Sequence, residues 1–371
     1  MKILVRSTNW LGDAVMTTPA LLRLREKFPD AHITILTPEK LRELWLNHSA
    51  INEIVSIAPG ETVFRIGKKL RPENFDLALA LPNSPRAAIE LYLAKIPKRI
   101  GYARPWRNFF LTKTIAPRAG ALKMRKLSVR KIRRRIAKDS AAVPAANAVG
   151  AAIAPYSSAH QIHEYLNLAA SLGANAEPLP PKLNVMVEEI DAVKKKFGLD
   201  KIVNPVFGLN PGAEYGPAKR WPIRRFVAAA QELQFRKNCV WILFGGPGDA
   251  ALANQIQSSL RSPQQMVFNL AGRTTLRELM ALLKVCRVLL TNDTGPMHVA
   301  SALGVPVVVP FGSTSPELTG PVSANGLAHK ILRTHAPCSP CFLRECPVDF
   351  RCMNGIEVSQ VVDAVLETAQ P

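Results

Sequence analysis

Short aliphatic runs alternate with longer helical patterns along almost the whole chain, and the alternation is interrupted only once. Lys2–Arg6 reads as a strand, followed by a loop and a helix ending near Phe28. Strand His32–Thr37, helix Pro38–Asn47 and strands Glu53–Ile57 and Phe75–Ala80 come next, after which the pattern weakens. A second series begins at strand Val206–Leu209. It continues through helix Ile223–Phe235, strand Cys239–Phe244, helix Ala250–Leu260, strand Met266–Asn269 and helix Leu276–Leu283. Strand Arg287–Thr291, helix Met297–Leu303 and strand Val305–Val309 close it. Strands separated by helix-length segments pair in parallel, with helices covering both faces of the sheet. The expected architecture is α/β, two doubly wound Rossmann-like domains facing a central cleft. Ligands of such sheets sit beyond the carboxyl ends of the strands.

The interruption is compositional. Arg118–Lys138 holds ten Lys or Arg and no acidic residue, and the Ala-rich run Ala141–Ala154 follows. We read about 118–157 as an insertion, at least partly mobile. A helix is expected over Ser158–Leu172, ended by Gly173, and Glu177–Pro181, with three prolines, as a linker. The expected domains are therefore 1–181 and 182–355. The last helix, Val358–Ala369 in the tail 356–371, is expected to return to the first domain.

The 371 residues suit two to three domains, and 47% hydrophobic with 20% charged residues is a globular composition. The net charge of +20 is uneven: residues 1–185 carry 29 basic and 13 acidic side chains, residues 186–371 carry 19 and 15. The first half should face something acidic, whether nucleic acid, an anionic membrane or an anionic substrate. No apolar run approaches the roughly 18 residues that cross a bilayer, and the N-terminus lacks a signal-peptide pattern, so a cytoplasmic protein is expected.

Four segments could carry chemistry. The first strand is followed by Ser7-Thr8-Asn9-Trp10-Leu11-Gly12-Asp13, where Gly12 would permit a tight turn. Asp13 would lie at the mouth of the cleft. It either caps the next helix or, if Thr17 or Thr18 is the cap, is free for other work. The loop from Gly208 to Pro222 is rich in Gly and Pro, carries adjacent Lys219 and Arg220, and precedes a helix. That suits an anion, although a solvated loop with two surface cations has the same composition. Thr291-Asn292-Asp293-Thr294-Gly295-Pro296-Met297-His298 joins a buried strand to a helix N-terminus that could cradle a diphosphate, with His298 either packed or touching ligand. Finally, strand Cys239–Phe244 runs into Gly245-Gly246-Pro247-Gly248-Asp249, where a carboxylate could hold ribose hydroxyls. Neither a Walker A loop nor a G-x-G-x-x-G fingerprint is present.

Taken together, Asn9-Trp10-Leu11-Gly12-Asp13, the loop Pro211–Pro222 and Thr291–Gly295 resemble the ADP-heptose-dependent heptosyltransferases of lipopolysaccharide core synthesis, over nearly the whole chain. The resemblance implies a GT-B fold, acceptor on the N-terminal domain and nucleotide sugar on the C-terminal one. It implies inverting, metal-independent transfer from ADP-heptose with no cofactor, Asp13 as general base, Lys219 on the donor phosphates and Thr294-Gly295 around the diphosphate. Arg220, Asp249, Asp293 and His298 complete the expected donor site. The expected acceptor residues are Asn9, Trp10, Gly12, Arg99, Arg104 and Arg107.

The acceptor it implies is the inner heptose of heptosyl-Kdo2-lipid A; the first heptose, a later one, or a protein acceptor stay open. A lipid A-core acceptor carries phosphates and carboxylates at an anionic membrane, so the enzyme is expected to sit peripherally on the inner face of the inner membrane, with Arg118–Lys138 as anchor. The rival reading, a basic nucleic-acid-binding module, leaves two nucleotide-type domains unexplained.

Cys338, Cys341, Cys346 and Cys352 crowd one C-terminal stretch. They are close enough for one zinc ion, but the spacing is not that of a common finger and reduced structural thiols suit a cytosolic protein equally.

Overall fold

The computed structural model describes residues 1–122, 124–138, 157–260, 263, 266–322 and 329–369. The chain forms two compact units, Met1–Ala121 with Ser158–Asn184, and Leu122–Ser157 with Val185–Pro371.

Six strands build the sheet of the first unit: β1 (Lys2–Arg6), β2 (His32–Pro38), β3 (Glu53–Ile57), β4 (Leu77–Ala80), β5 (Lys98–Tyr102) and β6 (Lys113–Ile115). Their order is β3-β2-β1-β4-β5-β6, and every pairing is parallel. The central strands are buried on both faces, as their unbroken aliphatic character demands. On one face Leu4, Leu36, Ala78 and Ala80 pack against Ile66, Leu70 and Leu91 of helices Val63–Leu70 and Pro85–Leu93.

The second unit repeats the plan with β7 (Val206–Asn210), β8 (Val240–Leu243), β9 (Val267–Asn269), β10 (Val288–Thr291), β11 (Val307–Phe311) and β12 (Lys330–Arg333). The order β12-β11-β10-β7-β8-β9 is the same topology, again all parallel. In each sheet the chain reverses direction of progress beside the first strand, between β1 and β4 and between β7 and β10. Such switch points leave a crevice at the strand carboxyl ends. Phe207, Leu209, Trp241 and Leu290 bury against Phe226, Leu233 and Ile256.

Two expectations change. The C-terminal helix, Val358–Thr368, belongs to the second unit: Val361, Val362 and Val365 pack into its core beside Trp221 and Leu332, because an apolar stripe at helical spacing finds an open flank of that sheet. The basic stretch also clusters with the second unit. Ile132, fully buried on helix Val129–Lys138, packs with Leu127 and Ile136 against Cys338, Cys341 and Val348. One apolar stripe thus orders a helix whose other faces are cationic. The Ala-rich part of the expected insertion, 139–156, lies outside the described residues.

Candidate active site

In the first unit the loop after β1 leads into helix Leu11–Met16, which gives way to helix Thr18–Lys27 at Thr17. The Thr17 and Thr18 hydroxyls donate backward to the Ala14 and Val15 carbonyls, at 2.6 and 2.9 Å, so neither caps a helix through its side chain. Gly12 is the second residue of helix Leu11–Met16 rather than the pivot of a turn.

Asp13 is half-buried in that first turn, an electrostatically favourable place for a carboxylate. Gln161 donates its side-chain amide to Asp13 Oδ1 at 3.3 Å, and its amide nitrogen also lies 2.7 Å from the Tyr165 hydroxyl. Burial first, and the Asp13 charge second, hold the Tyr165 phenol well above its ordinary range, so it stays a neutral hydroxyl. Asn9 and Trp10 are exposed; Arg6 donates to Asn9 Oδ1 at 3.1 Å, and the Lys40 ammonium stands 5.3 Å from the Trp10 ring centroid.

The three arginines expected on the acceptor side fare differently. Arg99 lies near the amino end of β5 and donates to the Phe110 carbonyl at 2.8 Å and to the Ile96 carbonyl. It therefore braces the chain at the sheet edge opposite the strand carboxyl ends. Arg104 follows the carboxyl end of β5 and stacks on Tyr102, 5.7 Å from its centroid. Arg107 is fully buried there, donating to the Pro82 carbonyl at 2.8 Å, while Nε and Nη2 have no hydrogen-bond partner among the described residues. Burial, then the Arg104 charge, lowers its pKa to about 10.

In the second unit the Pro211–Pro222 loop is fastened on several sides. Asn292, fully buried after β10, accepts from Trp221 N–H at 2.9 Å and donates to the Pro211 carbonyl at 2.7 Å. The Tyr215 hydroxyl donates to the Phe342 carbonyl at 2.8 Å. Gly216, at φ +153°, passes so close that a Cβ there would lie 2.5 Å from the Arg344 carbonyl oxygen.

This fastening aims the two cations of the loop at the other motifs. Lys219 Nζ lies 2.6 Å from Asp293 Oδ2, and the Thr314 hydroxyl donates to the same oxygen at 2.6 Å. Arg220 Nη2 lies 3.6 Å from Asp249 Oδ1. Asp249 itself presses against Gly212, where any side chain would overlap its carboxylate. Thr294 is the residue before helix Gly295–Ala302, and Thr294, Gly295 and Pro296 are its accessible lip; Thr294 makes no side-chain cap, and His298 is buried on the helix. Expected donor residues from β7, β8 and β10 thus meet at the carboxyl end of one sheet. Asp293 is engaged inside the protein rather than presented outward. Asn292, Thr314, Tyr215 and Arg344 were not singled out in advance; only Asn292 and Tyr215 lie inside the recognised segments.

The four C-terminal cysteines line a single small apolar cavity with Ile132, Ala218 and Val348. Burial raises Cys338, Cys341 and Cys352, the last to about 12, so these remain protonated thiols. Among the described residues no group of three or more His, Cys, Asp or Glu is arranged to hold a metal ion.

Two successive doubly wound units, with an anion-suited cluster at the switch point of the second, fit a nucleotide-sugar-dependent glycosyltransferase of the GT-B type. The profile of glycosyltransferase family 9 (heptosyltransferase) matches residues 130–350, and the chain belongs to that family. It is 32% identical over 337 residues to lipopolysaccharide heptosyltransferase 2 of Salmonella typhimurium, covering 87% of this chain and 86% of the relative. It is 30% identical to lipooligosaccharide heptosyltransferase 2 of Haemophilus ducreyi, over 90% and 89%. The structure of the E. coli ADP-heptose lipopolysaccharide heptosyltransferase II superposes with a TM-score of 0.77 at 28% identity, over 100% and 98% of the two chains. Among the described residues no helix is long and apolar enough to cross a membrane.

Proposed function

We propose that this enzyme transfers a heptosyl group from ADP-heptose to the lipopolysaccharide core, with inversion, and that its acceptor is the inner heptose of heptosyl-Kdo2-lipid A. The observation that carries the reading is the convergence of Lys219, Arg220, Asp249 and the Thr294–Gly295 helix start at one switch point, in a chain similar over most of its length to heptosyltransferases of the second type.

The acceptor hydroxyl oxygen attacks the heptose C1, and its proton passes to the Asp13 carboxylate as the new C–O bond forms. The C1–O bond to the diphosphate breaks, and ADP leaves with the electron pair. Negative charge developing on that leaving oxygen needs fixed partners, which the Lys219 ammonium and the N–H groups beginning helix Gly295–Ala302 supply without a metal. The Gln161 amide donates to Asp13 Oδ1 and orients the carboxylate that takes the acceptor proton.

On the acceptor side, Asn9, Trp10 and Arg104 are the contacts we assign; Arg107, fully buried, braces the chain beneath them instead. The cationic faces of helix Val129–Lys138 give peripheral attachment to an anionic membrane surface; nucleic acid is not a partner in this reading. The test is transfer from ADP-heptose to Kdo2-lipid A, heptosyl-Kdo2-lipid A and diheptosyl-Kdo2-lipid A in parallel, read by mass spectrometry. A gain of one heptose on the second alone fits the proposal. Preference for either of the others reassigns the acceptor.

A further inference from the structure

Within the donor cluster, both loop cations already have carboxylate partners. Lys219 pairs with Asp293 at 2.6 Å and Arg220 faces Asp249 at 3.6 Å, so the paired side chains sum to no net charge. A nucleoside diphosphate brings at least two negative charges, so a cation without a carboxylate partner would add to what Lys219 and the helix start supply. One stands beside the cluster. The Arg344 guanidinium lies over the Tyr215 ring, 5.3 Å from its centroid, and the Lys219 ammonium lies 5.2 Å from the same centroid. Among the described residues no carboxylate pairs with Arg344, and the residue is exposed.

Its position is built rather than incidental. The Arg344 carbonyl accepts from Ala218 N–H at 2.9 Å, directly beside Lys219. Gly216 has no side chain where that carbonyl passes, and the Tyr215 hydroxyl is tied to the Phe342 carbonyl. Aromatic stacking holds a guanidinium by its face and leaves its edge donors free, the geometry that grips phosphate oxygens in pairs.

We propose that Arg344 is a donor-binding residue that takes the diphosphate of the nucleotide sugar, and that the cysteine-rich segment exists to present it to the Pro211–Pro222 loop. The proposal rests on the donor-site reading above. It also gives the buried thiols of Cys338, Cys341 and Cys352 a purpose: they form the packed floor of the segment that carries the arginine.

Isothermal titration of the full chain with ADP and with adenosine tests it, using wild type, Arg344→Ala and Arg344→Lys. Arg344→Ala should weaken ADP about tenfold to a hundredfold, the loss of one charge-assisted contact, with adenosine and the unfolding temperature unchanged. Arg344→Lys should recover part of the loss. Unchanged ADP affinity in Arg344→Ala overturns the proposal, and so does an equal loss for ADP and adenosine, which would mean a general disturbance of the fold. A wild-type chain that binds no ADP at all would overturn the donor-site reading itself, an outcome distinct from both.

Discussion

Gln161 and Asp13 are 148 residues apart in sequence and joined by a 3.3 Å hydrogen bond, with the buried Tyr165 hydroxyl 2.7 Å from the same amide nitrogen. This contact orients a carboxylate that the proposed mechanism needs as a base. Asp13→Asn should fold, keep the acceptor for the Gln161 amide, and still bind ADP. Turnover should fall by about two to four orders of magnitude, the usual size of general-base catalysis. Steady-state kinetics beside ADP titration checks this, and near-wild-type turnover would remove Asp13 from the mechanism.

Lys219→Ala should lower both donor affinity and stability. The Asp293 carboxylate, 4% exposed in its side chain, would lose its ammonium partner and keep the Thr314 hydroxyl on that oxygen, and breaking a buried ion pair typically costs about 3–5 kcal/mol. Urea denaturation should show a lower midpoint. Lys219→Ala with Asp293→Asn should recover part of the stability but not the affinity for ADP. Recovery of both together would make the pair purely structural.

Gly216→Ala should disable the donor loop. Its φ of +153° is costly for any residue with a side chain, and the added Cβ would meet the Arg344 carbonyl oxygen at 2.5 Å. A loss of about 1–3 kcal/mol in stability together with weakened ADP binding is expected. A variant as stable and as tight as wild type would show that the loop relaxes freely.

Stability should decline on mild acidification. Burial pulls His48 and His329 from 6.5 down to about 4, with the Lys182 charge adding to the shift at His48. Each accepts a backbone N–H at Nδ1, from Ala50 at 3.2 Å and Val307 at 3.3 Å, so that nitrogen carries no proton. Between pH 6.5 and 4 the unfolded chain therefore binds more protons than the folded one. The stability conferred by the neutral rings is complete above pH 6.5 and is lost as the pH falls toward 4. Each site should lose on the order of 2 kcal/mol between pH 7 and 5. Urea midpoints across that range check it, and His329→Gln should flatten the slope; an unaltered slope would mean the ring is already charged when folded.

Much of the architecture was readable where the hydrophobic pattern is strong and local. Lys2–Arg6 and Ala250–Leu260 form as expected to the residue. Strand β5 was not readable, because it opens with two cations and contains Gly101, whose bare backbone makes room for the Arg107 guanidinium, 2.6 Å from where a Cβ would stand. Glu39–Trp45 was expected as part of an α-helix and winds as a tighter 3-10 helix instead. The donor motifs were visible as unusual loops, but the pairing inside them was not. Asn292 reaches Trp221 across 71 positions and Thr314 reaches Asp293 across 21, distances no periodicity reports. The basic stretch misled for a physical reason: its composition is that of a solvated segment, yet two isoleucines four apart suffice to dock a helix.

The most direct test of heptosyl transfer is a single paired reaction. Purified wild type and Asp13→Asn are each incubated with ADP-heptose and heptosyl-Kdo2-lipid A, and the lipid product is followed by mass spectrometry while ADP release is measured. Wild type should add one heptose per ADP released, and Asp13→Asn should do so at least a hundredfold more slowly. Release of ADP without any gain of heptose on the lipid, or equal rates from the two proteins, would contradict the account.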